Sequence, residues 1–139
     1  MVTSNAQLNI LIATIASFFV AGAIKIIISY FKKEKVEFSM AFSTGGMPSS
    51  HTAVVSALTT SIFMHEGVST LFIASLFFSL VIMSDAIGVR MQVGKQAKAL
   101  NKLLKTSDFN ENSGHTPMQV LGGLIVGILF SVLLFFASL

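Results

Sequence analysis

Gly45-Gly46-Met47-Pro48-Ser49-Ser50-His51 is the stretch around which the chain is organised. Two glycines and a proline lead here into two hydroxyl side chains and a histidine, and an apolar segment from Ala53 to Met64 follows at once. Glycine and proline interrupt regular structure and serine favours the first position of a helix, so the pattern predicts that a helix begins here. The free backbone amides of a helix start can bind a phosphate group.

A second turn has a similar design. Gly114-His115-Thr116-Pro117 precedes the last apolar segment of the chain. The two turns together contain both prolines of the sequence and two of its three histidines. We interpret them as the two halves of one phosphate-binding site.

The composition is that of a membrane protein. Of 139 residues, enough for one domain, 53% are hydrophobic and 11% are charged, with a mean hydropathy of +0.81. The net charge of +3 comes from lysines beside apolar segments, a pattern that favours topology signals and anionic lipid headgroups over nucleic acid. The sequence has no cysteine, which excludes disulfides and thiolate metal sites. We expect no metal, no cofactor and no nucleic-acid partner.

Four apolar segments are candidates for membrane helices. They are Leu8 to Phe31, Thr52 to Met64, Leu71 to Val89 and Val120 to Leu139. A membrane span needs about 20 apolar residues, and the second segment is short and rich in serine and threonine. We therefore predict that it lies inside the bundle, shielded by its neighbours. The predicted fold is an all-α integral membrane bundle of about four membrane helices.

A short amphipathic helix is predicted between the third and fourth segments, from Gly94 to Lys105. Its lysines recur at steps of three, four and three residues, which places them on one helical stripe: Lys95, Lys98, Lys102 and Lys105. Such a helix is typical of the membrane surface. A solvated helix in a long loop is the alternative.

The loops indicate which side of the membrane each end of the bundle faces. If all four segments cross, the loop from Lys32 to Lys35 and the segment from Arg90 to Lys105 share one face, together with both histidine turns. The positive-inside rule places that face in the cytoplasm. We predict an integral protein of a bacterial inner or plasma membrane, with its site facing the cytoplasm.

Gly123 and Gly127 form a small-residue face on the last segment, where another helix can approach closely. A second copy of the chain would satisfy this face and give a homo-oligomer. Packing within one chain would satisfy it equally well.

Cleavage of a phosphate monoester without a metal needs a nucleophile, a proton donor for the leaving oxygen and fixed positive charge on the other oxygens. His51 and His115 are candidates for the first two roles. Arg90, the only arginine, has a planar guanidinium that can clamp two oxygens at once. Further candidates for binding the phosphate are Lys25, Lys95 and the backbone amides from Gly46 to Ser50.

Two charged residues lie inside apolar segments and need partners. Lys25 is about 10 Å along a helix from Lys32, so it either takes part in a site or extends its ammonium group to the membrane surface. Asp85, near the end of the third segment, can pair with Arg90 or with Lys25. His65 is interpreted as a turn residue at the interface.

Four motifs occur in order along nearly the whole chain. They are the stretch from 45 to 51, Asp85-x-x-Gly88-Val89-Arg90, Gly94-Lys95-Gln96-Ala97 with Leu100-Asn101, and Gly114-His115-Thr116-Pro117. Together they resemble the divergent branch of the type 2 phosphatidic acid phosphatases, which are related to acid phosphatases and vanadium-dependent haloperoxidases. Each motif alone is weak, and four in this order are specific.

The resemblance implies a helical membrane phosphatase that acts on lipid phosphates without a metal. By this resemblance His115 would be the nucleophile that forms a phosphohistidine, and His51 would protonate the leaving group. The phosphate would be held, and its charge compensated, by Ser49, Ser50, nearby amides, Arg90 and, as a further candidate, Lys25.

The sequence departs from the parent pattern at three places. Ser50 stands where that pattern has glycine, and Arg90 lies 25 positions before His115 instead of a few, so only folding can bring them together. Gln119 stands where the parent has an acidic residue that orients the nucleophile. An amide can accept the imidazole N–H, but it cannot balance an imidazolium charge.

Gln119 also has a structural interpretation. With Thr116 at the N-cap and Pro117 at the first helical position, Thr-x-x-Gln matches a capping box. Capping and orientation of His115 are compatible, and Asp85 is an alternative orienting group.

The first functional hypothesis is a metal-independent lipid phosphate phosphatase. A cytoplasmic site suits phosphatidylglycerophosphate or phosphatidic acid better than a polyprenyl diphosphate, which is the alternative substrate. The second hypothesis is a non-catalytic membrane module that binds anionic lipid or a partner helix. Transport of a small anion is disfavoured, because four short helices leave little room for a pathway.

Overall fold

The computed structural model describes residues 4–33, 46–111 and 113–138. Its regular elements are five helices: α1 Ser4–Phe31, α2 Ser50–Glu66, α3 Thr70–Ile87, α4 Val89–Leu104 and α5 Pro117–Ala137. No strand occurs in these ranges. The predicted all-α bundle is therefore confirmed. Gly45 of the first turn and Lys35 of the lysine-rich loop lie outside the described residues.

Three helical stretches of the described chain are long and apolar enough to cross a membrane. They are Ser4–Phe31, Thr70–Leu104 and Pro117–Ala137. The second stretch combines α3 and α4, which follow each other across Gly88. With 17 residues, α2 is not among the three, in agreement with its short and hydroxyl-rich sequence.

The short helix α2 is central, packed against α1, α3 and α5. Each of these neighbours sends one serine hydroxyl to a backbone carbonyl of α2. The three bonds are Ser17 Oγ to Ala53 O (3.4 Å), Ser79 Oγ to Val55 O (3.1 Å) and Ser131 Oγ to Ala57 O (3.1 Å). Hydroxyl side chains join helices in this way inside a bilayer. The prediction that this segment lies inside the bundle is confirmed.

Helix α5 approaches α2 closely along its glycine face. A Cβ atom on Gly123 would overlap the carbonyl oxygen of Ser49, and a Cβ atom on Gly127 would overlap the hydroxyl of Ser56. Both glycines are buried by this packing, which lies within one chain. The surface that a homo-oligomer through these glycines would use is thus covered by α2, and association of copies stays a prediction.

Helix α3 contrasts with α2. Its buried residues are Ser75, Ser79 and Ala86, and its large apolar side chains, such as Phe77 and Val81, are exposed. A helix that is apolar on nearly all sides is typical of a membrane span that faces lipid.

Helix α4 is the predicted amphipathic helix. It begins at Val89, five residues before the predicted Gly94, because the chain resumes helical geometry directly after the break at Gly88. Its lysines at 95, 98 and 102 are exposed. A separate face, formed by Gly94, Ala97 and Asn101, is buried.

Candidate active site

The start of α2 is built around Gly46 and Ser49. Gly46 has a positive φ of 79°, which glycine adopts without strain, and a Cβ atom on it would lie 3.3 Å from Cδ of Lys25 in α1. Ser49 is the N-cap, and its hydroxyl oxygen accepts bonds from the Thr52 amide (3.4 Å) and the Thr52 hydroxyl (3.0 Å). The predicted helix start is confirmed.

The start of α5 is the predicted capping box. The Thr116 hydroxyl accepts from the Gln119 amide at 3.3 Å, and Gln119 Oε1 accepts from the Thr116 amide at 2.9 Å. His115 comes directly before the cap, and its backbone N–H donates to the Ala86 carbonyl in the last turn of α3 (3.0 Å).

Two backbone contacts bring the helix starts together. The Ser49 N–H donates to the Gln119 carbonyl at 3.0 Å, which joins α2 to the first turn of α5. Gly114, with a φ of 87°, lies so close to Met91 that a Cβ atom on it would overlap the Met91 backbone, which joins the start of α5 to that of α4. The Ser49 amide, one of those predicted to bind phosphate, is therefore used in packing.

His115 and His51 differ in exposure but belong to one electrostatic group. His115 is 5% exposed, whereas His51 is exposed on the first turn of α2. Burial lowers the pKa of the His115 imidazole, and the Gln119 side chain opposes this shift. Three further predicted site residues lower the same pKa by their charge: Lys25, His51 and Arg90. The pKa of His51 is lowered as well, first by partial burial and then by the charges of Arg90 and Lys25. These four side chains therefore share one electrostatic environment, although 90 positions separate Lys25 from His115.

Arg90 pairs with Asp85, one of the two partners that the sequence allowed for this carboxylate. Arg90 Nε donates to Asp85 Oδ2 at 2.5 Å, and the two side chains are 46% and 36% exposed. An exposed pair of this kind contributes little to stability. Its bond uses one of the five N–H donors of the guanidinium, so Arg90 can hold a bound anion and the carboxylate together.

Two buried polar atoms in this region have no hydrogen-bond partner: Ser50 Oγ and His115 Nδ1. Ser50 is 3% exposed and His115 is 5% exposed. A buried polar group left without a partner costs about 1–3 kcal/mol, so each such group calls for an explanation, and a bound ligand is one. Both residues are candidates for the phosphate site on sequence grounds.

Lys95 is placed differently from the other candidate cations. It lies exposed on α4, and the lysine that acts on both histidines is Lys25. The predicted contact between Lys95 and phosphate gains no support from this arrangement. Within the described ranges, no group of three or more His, Cys, Asp or Glu side chains could hold a metal ion.

Sequence reasoning missed the backbone groups that assemble the site. The Gln119 carbonyl receives the Ser49 N–H, and the Ala86 carbonyl receives the N–H of His115. Side-chain patterns carry no signal for such contacts, because every residue type except proline offers the same backbone donor and acceptor.

The fold and the site together define a class: an all-helical membrane protein in which converging helix starts place two histidines beside a lysine and an arginine. The sequence profile described as "Divergent PAP2 family" matches residues 6–130, and the chain belongs to this family. The chain is also similar to the uncharacterized membrane protein YuiD of Bacillus subtilis (strain 168), with 35% identity over 145 aligned positions that cover 89% of this chain and 92% of that protein. No solved structure matches the chain.

Proposed function

We propose that this protein is a metal-independent lipid phosphate phosphatase. Its substrate would be a phosphomonoester of the phosphatidylglycerophosphate or phosphatidic acid type, hydrolysed through a phosphohistidine intermediate. The observation that carries the proposal is the grouping of two histidines with two cations at converging helix starts: His51, His115, Lys25 and Arg90. Membership of the Divergent PAP2 family supports it.

In this proposal the neutral imidazole of His115 is the nucleophile. Burial lowers its pKa, which keeps a nitrogen lone pair available at neutral pH. The nitrogen bonds to phosphorus as the bond from phosphorus to the lipid oxygen breaks, and His51 gives its proton to that oxygen. His51, now neutral, takes a proton from water, and the resulting hydroxide displaces the imidazole and releases inorganic phosphate.

The remaining side chains would hold the non-bridging oxygens of the phosphate. Arg90 has N–H donors beyond the one in its ion pair, and the Ser50 hydroxyl is a buried donor without another partner. Lys25, 3% exposed, adds positive charge from α1. The exposure of His51 suits an acid that must exchange its proton with water.

One observation favours a second function. Gln119 Oε1 accepts the Thr116 N–H, and an amide cannot balance the positive charge of His115 during catalysis. The same group of cations would then bind an anionic lipid headgroup without turnover. A partner helix is a second possible ligand of such a non-catalytic module. For an active enzyme, the alternative substrate is a polyprenyl diphosphate.

Release of inorganic phosphate in detergent tests the phosphatase. The native protein is compared with His115→Ala and with His65→Ala, a control whose ring packs against Phe135 at the opposite end of α2. Substrates are phosphatidylglycerophosphate, phosphatidic acid and a polyprenyl diphosphate, with and without EDTA. We expect release by the native protein and the control, no effect of EDTA, and a loss on the order of 1000-fold in His115→Ala.

Two results would overturn this proposal. Equal release from the native protein and His115→Ala would mean that the activity does not come from this site. Binding of anionic lipid without release from any substrate would support the non-catalytic module.

We further propose that the site faces the cytoplasm of a bacterial inner or plasma membrane, because the positive-inside rule applies to the lysines beside it. The chain has no cysteine, so single introduced cysteines report their accessibility. On intact cells, an impermeant thiol reagent should label Val68→Cys, in the turn between α2 and α3, but not Lys98→Cys on α4. The reverse pattern would place the site outside the cell.

A further inference from the structure

The linker between α4 and α5 is held by one buried side chain of α4. Asn101 is 6% exposed, and its Nδ2 donates to the Phe109 carbonyl (2.8 Å) and to Glu111 Oε1 (2.9 Å). Its Oδ1 accepts the Phe109 N–H at 3.1 Å. The amide thus pairs with both backbone groups of one linker residue, which fixes the linker in position and in orientation.

The same linker touches the backbone of α4 closer to the site. A Cβ atom on Gly94 would lie 2.5 Å from the Ser113 carbonyl oxygen and 2.9 Å from that of Glu111, so this approach requires glycine. Gly114 then meets the backbone of Met91. The linker therefore returns along α4 from Asn101 towards its first turn, and His115 is the next residue.

We propose that Asn101 is a positioning residue for His115. By clamping Phe109 it fixes the linker along α4, and the linker fixes the imidazole against the other side chains of the site. This inference rests on the proposed function only in taking His115 as the reacting group.

The arrangement of the helices gives this clamp its importance. Among the described helices, α4 packs against α3, and its connection to α5 is the docked linker. Arg90 lies on α4 and His115 lies at the end of the linker. The contact of the linker with α4, together with the bond from the His115 N–H to the Ala86 carbonyl, therefore sets the position of the nucleophile relative to the guanidinium.

The environment of His115 provides a readout that is specific for this role. The groups that act on its imidazole are Lys25 from α1, His51 from α2, Arg90 from α4 and Gln119 from α5, while α3 contributes the Ala86 carbonyl to its backbone. Burial is the largest cause of its lowered pKa. Release of the linker should expose the imidazole and raise this pKa towards its usual value of about 6.5. A general loss of stability would reduce the amount of folded protein and leave this pKa unchanged.

The test uses the full chain in detergent with the substitution Asn101→Ala. Gln92→Ala, which removes an exposed amide from the same helix, is the matched control, and Glu111→Gln is a conservative variant that keeps the oxygen acceptor. Hydrogen exchange of the linker amides, NMR titration of the His115 imidazole and the pH profile of phosphate release are measured for each protein.

In Asn101→Ala we expect linker amides to exchange about 10-fold faster or more, because their clamp is lost. The His115 pKa and the acid limb of activity should move to higher pH, and kcat should fall about 10- to 100-fold with little change in KM. Gln92→Ala and Glu111→Gln should resemble the native protein.

Native exchange rates and a native His115 pKa in folded Asn101→Ala would overturn the inference. If that variant does not fold, Gly94→Ala replaces it, because its Cβ pushes the linker away at Ser113. The same shifts are expected there, and their absence would show that the docked linker does not place the imidazole, which the inference requires. If the native protein releases no phosphate, the proposed function fails, while the exchange and titration results still decide the role of Asn101.

Discussion

The starts of α2 and α5 each combine a glycine of positive φ, a proline, a hydroxyl N-cap and a histidine, yet they place the histidine on opposite sides of the cap. His51 follows its N-cap, Ser49, and is exposed on the first turn. His115 precedes its N-cap, Thr116, and is buried. His51 lies inside the first turn of α2, so its side chain projects from the helix. His115 lies before its cap, so its position depends on the segments that the linker contacts.

This difference in register matches a difference in chemistry. An exposed imidazole exchanges its proton with water, as an acid and base must. A buried imidazole whose pKa is lowered stays neutral, as a nucleophile must. Burial, Arg90 and Lys25 lower the pKa of His51 as well, and the negative charge of a bound phosphate would favour its protonated form. Two turns of nearly the same composition therefore supply the two complementary groups of the proposed reaction.

The largest expected effect is on the reaction rate. It should distinguish the two histidines when substrates with different leaving groups are compared. On a lipid phosphate, His51→Ala should lose about 100- to 10,000-fold in rate, because an alkoxide leaves poorly without a proton. On p-nitrophenyl phosphate, whose leaving group needs no proton, His51→Ala should recover most of its rate of p-nitrophenol release in the first turnover, although later turnovers still lack the base for the second step. His115→Ala should remain inactive on both. Equal losses of His51→Ala on the two substrates would remove the assignment of His51 as the acid.

The next effect concerns the packing that keeps the two helix starts side by side. A Cβ atom on Gly127 would overlap Ser56, whereas one on Gly122 would lie 3.2 Å from the flexible end of Met47. Gly127→Ala should therefore lower the free energy of unfolding by about 1–3 kcal/mol more than Gly122→Ala. Thermal unfolding in detergent compares the two variants. Equal stability would show that the close approach of α5 to α2 is not required.

The two N-cap residues should differ in their contribution to stability, and the buried one should contribute more. Ser49 is fully buried and accepts two hydrogen bonds, whereas Thr116 is exposed. We expect Ser49→Ala to cost up to about 2 kcal/mol of unfolding free energy and Thr116→Ala about 1 kcal/mol or less. Denaturant unfolding monitored by circular dichroism measures both. A larger loss in Thr116→Ala would mean that the capping box, and not burial, decides the strength of the cap.

Local rules made much of this fold readable in the sequence. Apolar segments predict α1, α3 and α5, and the pattern of Thr116 and Gln119 predicts the capping box. The same rules did not reveal which histidine is buried, because the burial of His115 depends on backbone contacts with α3 and α4. Lys95 is the opposite case: the sequence predicts the lysine stripe of α4, but Lys95 is exposed and is not among the charges that act on either histidine.

The smallest expected effect is a change in the pH dependence of activity in the variant Gln119→Glu. Glutamate fits the capping box as well as glutamine, so Thr116 keeps its partner. The new carboxylate stabilises the protonated imidazole, so the pKa of His115 should rise from its lowered value. Because only the neutral imidazole attacks phosphorus in the proposed reaction, the acid limb of kcat/KM should move to higher pH.

The pH dependence of stability should also change in this variant, in the direction that follows from the rise in the His115 pKa. Between the lowered pKa of folded His115 and the usual value of about 6.5, the unfolded chain binds more protons, so the native protein loses stability as pH falls through this window. Gln119→Glu should raise the folded-state pKa of His115 towards its usual value, which narrows this pH range. The unfolding temperature should then depend less on pH within the range. Gln92→Glu, which adds the same charge to the exposed surface of α4, is the control. If the acid limb moves equally in both variants, the pKa of His115 responds to the overall charge of the protein. The contrast between the two helix starts would then not depend on the groups beside each imidazole.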